Sequence, residues 1–250
     1  MNLSEFRARI YDNYYDLSFK EKKLNKPEEA LFKRASLGFE WNYGIYMDSL
    51  KKDSRVLDIG CGIGQCLFWL NQRGLDAIGI DTSMEQIEQA RKVLKNEIKI
   101  EHADAFEYLK STTGKYDAVV ANDLIEHMTR PEALEFVSLV HDKIKENGFL
   151  IVKAPNAISH SAGHFYDNLT HKRPYTESSI QCLLKVGGFE DIRVHSFEHY
   201  PYRNMASIGA YAIRRLTWNL YRARLFLHDF SPITKVVGKQ LFAVAKKQAS

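Results

Sequence analysis

Apolar positions along the chain follow two periods. Short unbroken apolar runs read as strands: Val56, Leu57 and Ile59, then Asp76 to Ile80, Ile98 to Glu101, Tyr116 to Ala121 and Phe149 to Lys153. The Tyr116 run has no polar alternation, as expected for a strand inside a parallel sheet with both faces covered. Helical spacing fills the intervals. Cys66 to Leu70 continues toward Gly74, a glycine suited to a left-handed cap. Met84, Ile87, Ala90, Val93 and Leu94 form one face of a helix over Ser83 to Lys95, capped by Thr82 or Ser83. A third helix carries Pro131 in its first turn, runs to about Lys145 and stops at Asn147-Gly148. A fourth starts at Thr176, runs to Val186 and ends at Gly187-Gly188, and strands over Asp191 to Phe197 and Gln240 to Ala245 complete the pattern. Strands alternating with helices predict an α/β fold.

Three segments depart from that alternation. Residues 1–50 read as two helices broken near Asn25 and Pro27 and rich in aromatics, among them Phe6, Tyr11, Tyr14, Tyr15, Phe19, Phe32, Phe39, Trp41, Tyr43 and Tyr46. They pack on the domain or cover its ligand as a lid. Ala154 to Pro174 is a long irregular stretch holding three histidines, Phe165, Tyr166 and Asp167, and a loop of that length in a compact domain is usually functional or disordered. The third is an insert at about 198–238. It predicts a helix over Ser207 to Leu227 with Ile213, Leu216, Leu220 and Leu227 on one face and Arg214, Arg215, Arg222 and Arg224 around it. Such a helix docks on the domain, forms a homodimer, or rests on an anionic membrane.

Composition narrows the class. At 250 residues, one decorated domain is expected, with residues 1–50 as a helical cap and 51–250 as the main domain. A net charge of +4 does not by itself imply nucleic acid. Cys61, Cys66 and Cys182 are odd in number and lack metal-ligand spacing, which predicts a reduced, cytoplasmic compartment. Met1 to Ile10 carries charge without an apolar core, so no signal peptide is expected, and no run of about 18 apolar residues predicts a membrane span. If the 207–227 helix meets lipid, the protein sits at the inner face of the membrane.

The centre of the chain is Val56-Leu57-Asp58-Ile59-Gly60-Cys61-Gly62-Ile63-Gly64, a strand turning through three glycines into a helix. Glycines there let backbone N–H groups approach a ligand at a helix N-terminus. Asp81, ending the next strand, can hold both hydroxyls of a ribose. A dinucleotide fingerprint requires glycine at 65, where Gln65 stands, and this disfavours NAD. These residues, with Asp104-Ala105 and Lys145-Glu146-Asn147-Gly148, resemble the class I S-adenosylmethionine (SAM)-dependent methyltransferases over about 45–200. The resemblance implies a Rossmann-like, seven-stranded, mostly parallel sheet with an antiparallel last strand and helices on both faces. It also implies SAM as cofactor and S-adenosylhomocysteine as product, bound by Asp58, Gly60, Cys61, Gly62, Gln65, Asp81, Thr82, Met84, Asp104, Ala105 and Asn122. Asp104 either accepts from the adenine amino group or only caps the following helix.

Methyl transfer from a sulfonium is an in-line displacement, so the protein chiefly aligns acceptor, methyl and sulfur. A hydroxyl acceptor also needs a base, for which His127, His171 and His164 are the candidates. An anionic acceptor needs cations instead, supplied by Lys172 and Arg173, with Tyr166 beside them. Asp123, Glu126 and His127, with His164 or Asp167, make a partial divalent-metal set, but no metal is expected. The Thr170-His171 to Thr176 run with Gly187-Gly188-Phe189 resembles, more loosely, small-molecule methyltransferases of bacterial surface-glycan assembly. Together these features predict an O-methyltransferase for a small polar, anionic acceptor such as a sugar or sugar phosphate. The alternatives are a phenol or quinone-precursor acceptor and a SAM-binding protein without turnover. No Asn-Pro-Pro-Tyr run follows the fourth strand, and nucleic acid is not expected as a partner.

Overall fold

A computed structural model describes residues 29–95, 97–159, 163–166, 168–198, 204–229 and 235–249. The first of the two N-terminal helices read from the sequence, and Asp167, lie outside the described residues. In chain order the elements are α1 Glu29–Met47, β1 Arg55–Ile59, α2 Gln65–Gln72, β2 Asp76–Asp81, α3 Met84–Leu94, β3 Lys99–His102, α4 Ala105–Ser111 and β4 Tyr116–Asn122. A 3-10 turn, Ile125–His127, leads into α5 Arg130–Lys143, β5 Ile144–Pro155, α6 Gly163–Tyr166, α7 Glu177–Val186, β6 Glu190–Ser196, α8 Met205–Asp229 and β7 Gln240–Lys246.

The seven strands form one sheet in the order β3-β2-β1-β4-β5-β7-β6. Only β7 runs against its neighbours, wedged between β5 and β6. Side-chain alternation sorts the buried strands onto two faces. Leu57, Val119, Ala121, Leu150 and Val152 join a core closed by Phe136, Val137, Val140, Ile180 and Leu184 of α5 and α7. Val56, Ala118, Val120, Phe149 and Ile151 join a second core with Phe32, Phe39 and Tyr43 of α1, Leu67 and Trp69 of α2, and Ile87 and Ala90 of α3. The described part of the N-terminal segment is thus a layer of the domain. Its hold on α2 is also polar: Trp69 Nε1 and the Arg73 guanidinium both donate to Glu40, at 2.8 Å and 2.7 Å.

Caps and turns set the helix ends. Ser83 accepts from Gln86 N–H to start α3, Thr129 and Glu132 cap each other's backbone at α5, and Thr176 with Ser179 does the same at α7. One boundary differs from the sequence expectation. Helix α5 stops at Lys143, and Asn147-Gly148 falls inside β5. Asn147 takes φ +63° there, in a register irregularity between Tyr116 and Ala118 of β4, so the polar pair is a kink in a strand and not a helix stop.

Candidate active site

The turn after β1 builds the site. Gly60, Gly62 and Gly64 all have positive φ, which disfavours side chains at each, and a Cβ on Gly64 would also lie 2.7 Å from Leu94 Cδ1. Asp81 ties this turn to β2: its carboxylate accepts from Gly62 N–H and from Ser83 N–H, both at 2.8 Å. The chain leaves β4 through Asn122 and Asp123, the latter at φ +52°. Tyr43 of α1 donates to Asn122 Oδ1 at 2.8 Å, and among the described residues Asn122 Nδ2 is left as an unmatched buried donor.

A cavity of about 610 Å³ lies at the carboxyl edge of β1, β2 and β4. Of the residues the sequence nominated for cofactor contact, Asp58, Gly60, Cys61, Gly62, Gln65, Asp81, Thr82, Asp104, Ala105 and Asn122 line it, and His127 joins them. Met84 does not: as the first residue of α3 it points to solvent. Asp104 caps α4, accepting from Phe106 and Glu107 N–H through Oδ1 while lining the cavity, so the two roles read from the sequence are compatible.

Two acids in this wall have displaced titrations. Burial pushes the Asp58 carboxyl up to about 7, the Asp81 charge adding to it, while a hydrogen bond with Cys66 and the charge of Lys153 pull the other way. Among the described residues Asp58 Oδ2 has no hydrogen-bond partner. Asp58 therefore keeps a proton in the fold between about 3.9, its value in an unfolded chain, and about 7. The folded state binds more protons in that window, so the ligand-free protein should lose stability as pH rises through it and level off above about 7. Melting temperatures from pH 5 to 8 test this, because Asp58→Asn should flatten the slope; an equal slope in the variant would place the titration elsewhere. A cationic ligand group beside Asp58 acts oppositely, and its binding below pH 7 should release a proton, detectable by calorimetry in two buffers.

The acceptor side is assembled by the loop from Pro155 to Tyr175 folding back on the 3-10 turn. Lys172 and Arg173 N–H donate to the Glu126 carbonyl at 2.7 Å and 3.3 Å, and Tyr175 Oη to that of Ile125 at 3.2 Å. This docking brings His171 to His127, with ring centroids 4.8 Å apart. The hydrogen bonds assign both tautomers. Asn168 Oδ1 accepts from Thr170 N–H and from the Thr170 hydroxyl, so Thr170 Oγ1 accepts from His127 Nδ1–H at 2.8 Å. His171 Nδ1–H donates to the Phe165 carbonyl at 2.7 Å. Each ring thus carries its lone pair on Nε2. Beside them lies Glu126, fully buried, with neither carboxylate oxygen hydrogen-bonded among the described residues and Oε1 3.9 Å from His171 Nε2. Burial and the nearby Asp123 charge raise the Glu126 carboxyl well above the ordinary range, favouring its protonated form.

Other nominated residues are placed differently. His171 lies behind His127 and outside the cavity wall. The Lys172 ammonium is bound to Glu132 at 2.6 Å, and the Arg173 guanidinium lies 4.8 Å from the centroid of the Tyr175 ring. Tyr166 is exposed, in edge contact with Phe165. Of His164, in α6, only the backbone is described. Glu126, His127 and His171 bring donor atoms within 4.8 Å of one another, whereas Asp123, expected in a metal set with Glu126 and His127, turns away to Lys153 Nζ and Gln240 Nε2, both at 2.6 Å.

The sequence reading missed the cavity's cation, Lys153, which lines the wall buried against Asp123 with its ammonium 4.8 Å from the Phe197 ring centroid. A lysine in the apolar run Phe149 to Lys153, at the sheet's carboxyl edge, was the available signal. Phe39, named in the sequence among the aromatics of the cap or lid, is a wall residue as well as a core residue.

Comparison with known proteins agrees with this geometry. A family model described as a methyltransferase domain matches residues 34–194. The chain is 32% identical over 108 residues to the mitochondrial ubiquinone biosynthesis O-methyltransferase of Bos taurus, covering 41% of this chain and 29% of that protein. It is 28% identical over 141 residues to carboxy-S-adenosyl-L-methionine synthase of Campylobacter curvus, covering 52% and 59%. These matches span less than two thirds of the relatives' length. Among solved structures, a SAM-dependent methyltransferase from Archaeoglobus fulgidus superposes with a TM-score of 0.65 at 27% identity, over 94% of this chain and 100% of that one.

Proposed function

The chain belongs to the methyltransferase-domain family, and from that premise we propose that it transfers the methyl group of SAM to a hydroxyl oxygen of a small acceptor, most readily a phenol. One observation carries the reading: His127 lines the cofactor cavity with its lone pair on Nε2, while the nominated cations Lys172 and Arg173 are committed to Glu132 and to the Tyr175 ring. A base therefore faces the cavity, and among the described residues the loop offers no uncommitted pair of cations for a phosphate. The apolar wall around His127, formed by Leu124, Met128 and Phe106, suits an aromatic acceptor better than a sugar. The similarity to a ubiquinone O-methyltransferase points the same way.

In this mechanism bound SAM would supply the methyl group on its sulfonium sulfur, which would leave as the thioether of S-adenosylhomocysteine. Residues of the turn after β1, with Asp81 and Asp104, would hold the cofactor. His127 Nε2 takes the acceptor's hydroxyl proton as the oxygen attacks, and Thr170 Oγ1, accepting from Nδ1–H, holds the ring in the required tautomer. The second ring and Glu126 lie behind as a polar reserve for the resulting imidazolium.

Release of S-adenosylhomocysteine, measured with a dihydroxybenzene, a neutral sugar and a sugar phosphate, tests the reading. Turnover is expected on the phenol, and turnover confined to the phosphorylated acceptor would overturn it. A divalent ion on Glu126, His127 and His171 is the second reading, favoured by ligand atoms of the three lying within 4.8 Å of one another around a buried carboxylate that has no hydrogen bond among the described residues. Full turnover after exhaustive chelation excludes it; metal-restored activity selects it over proton transfer to His127.

A further inference from the structure

Helix α8, in the insert between β6 and β7, is oriented opposite to an ordinary surface helix. Its polar and aromatic side faces the domain. Arg214 and Arg215 pair with Glu198 at 3.9 Å and 3.2 Å, Tyr221 Oη donates to the Ile158 carbonyl at 2.9 Å, and Trp218 packs near Gly238. Its outer side is apolar: Met205, Ile213, Leu216, Leu220 and Leu227 are 60–81% exposed. At about 100° per residue these five fall within an arc of roughly 80°, a continuous stripe some 33 Å long. A stripe of that size on a helix is a contact surface and not scattered exposure.

Charge identifies what covers it. Between Met205 and Leu227 the helix carries four arginines and no acid. Arg224 borders the stripe on one side; Arg215 and Arg222 lie on the other, beyond Ile208 and Phe226. Pairing two copies through this face would bring arginines against arginines with no carboxylate between Met205 and Leu227 to match them, and like charges across an interface are costly. A surface of anionic lipid matches both features, since leucine and isoleucine enter the acyl boundary while arginines reach the headgroups. No described helix is long and apolar enough to cross a membrane, so the helix lies in the interface plane.

We propose that α8 is an interfacial anchor that seats the protein on an anionic bilayer. Its position makes the contact functional. The β6 and β7 ends that bracket it lie at the same edge of the sheet as the cavity, beside the loop that carries His171. The mouth of the site therefore opens near the lipid surface, where an acceptor with a hydrocarbon tail is presented.

Co-sedimentation with vesicles of phosphatidylcholine, with and without a third of phosphatidylglycerol, tests the proposal. The protein should pellet with the anionic vesicles at low salt and be released progressively as salt rises. Leu216→Glu with Leu220→Glu should reduce partitioning at least about tenfold by removing the inserted face. Arg224→Gln should reduce it about fivefold, the effect of one basic residue at the surface. Unchanged cofactor affinity in each variant shows that the fold is intact. Absence of pelleting at low salt, equal pelleting with neutral vesicles, or a dimer in sedimentation velocity that the double-leucine variant converts to monomer would each overturn it.

Discussion

Replacing His127 by alanine should lower turnover on a hydroxyl acceptor by about 10²–10⁴-fold, the usual contribution of a positioned general base. Cofactor affinity should stay close to that of the unmodified protein. The expectation follows from the tautomer, because Thr170 and Asn168 force the proton onto Nδ1 and leave Nε2 as the basic atom. His171→Ala should lower turnover less. That ring lies outside the cavity wall and acts through His127 and Glu126. The two roles separate in the pH profile. Loss of the base should abolish the acidic limb of kcat, whereas loss of a positioning ring should shift that limb and leave its shape. If His127→Ala keeps full rate and an unchanged profile, base catalysis by this residue is wrong.

Asp81→Ala should weaken SAM binding by about 1.5–3 kcal/mol, roughly 10- to 150-fold, measured by calorimetry. Two losses combine. The ribose hydroxyls would lose the acceptor proposed for them, and the Gly62 and Ser83 N–H groups, each held at 2.8 Å by the carboxylate, would lose that partner. Asp81→Asn separates them, since its amide oxygen can still accept from Gly62 but only weakly replaces a charged acceptor for two hydroxyls. NAD should bind negligibly to both variants and to the parent protein. Unchanged SAM affinity in Asp81→Ala, with the protein folded, would reduce this acid to a brace for the turn.

Most of the helices and strands, and the glycine turn that lines the cavity, were legible in the sequence because both depend on local chemistry. A positive-φ turn requires glycine at 60, 62 and 64, a strand inside a parallel sheet requires an unbroken apolar run, and caps at Ser83, Thr129 and Thr176 act within three residues. The misreading of Asn147-Gly148 has the same origin, since a polar-glycine pair stops a helix and kinks a strand equally well, and only pairing of β5 with β4 and β7 chooses.

The acceptor side was decided by tertiary structure. His127 and His171 are 44 residues apart, and nothing local states that the loop folds back on the Glu126 carbonyl to bring their rings together. The same folding turns Lys172 toward Glu132 and away from any acceptor. Burial, a property of the whole fold, lifts the carboxyls of Asp58 and Glu126. For α8, the sequence alone established an apolar face and a set of arginines. That the side carrying Arg214, Trp218 and Tyr221 meets the domain and the leucine side meets the exterior follows from the ion pairs of Arg214 and Arg215 with Glu198 and the Tyr221 hydrogen bond to Ile158. Amphipathicity defines two faces, and only the charges awaiting them elsewhere in the fold determine which one is buried.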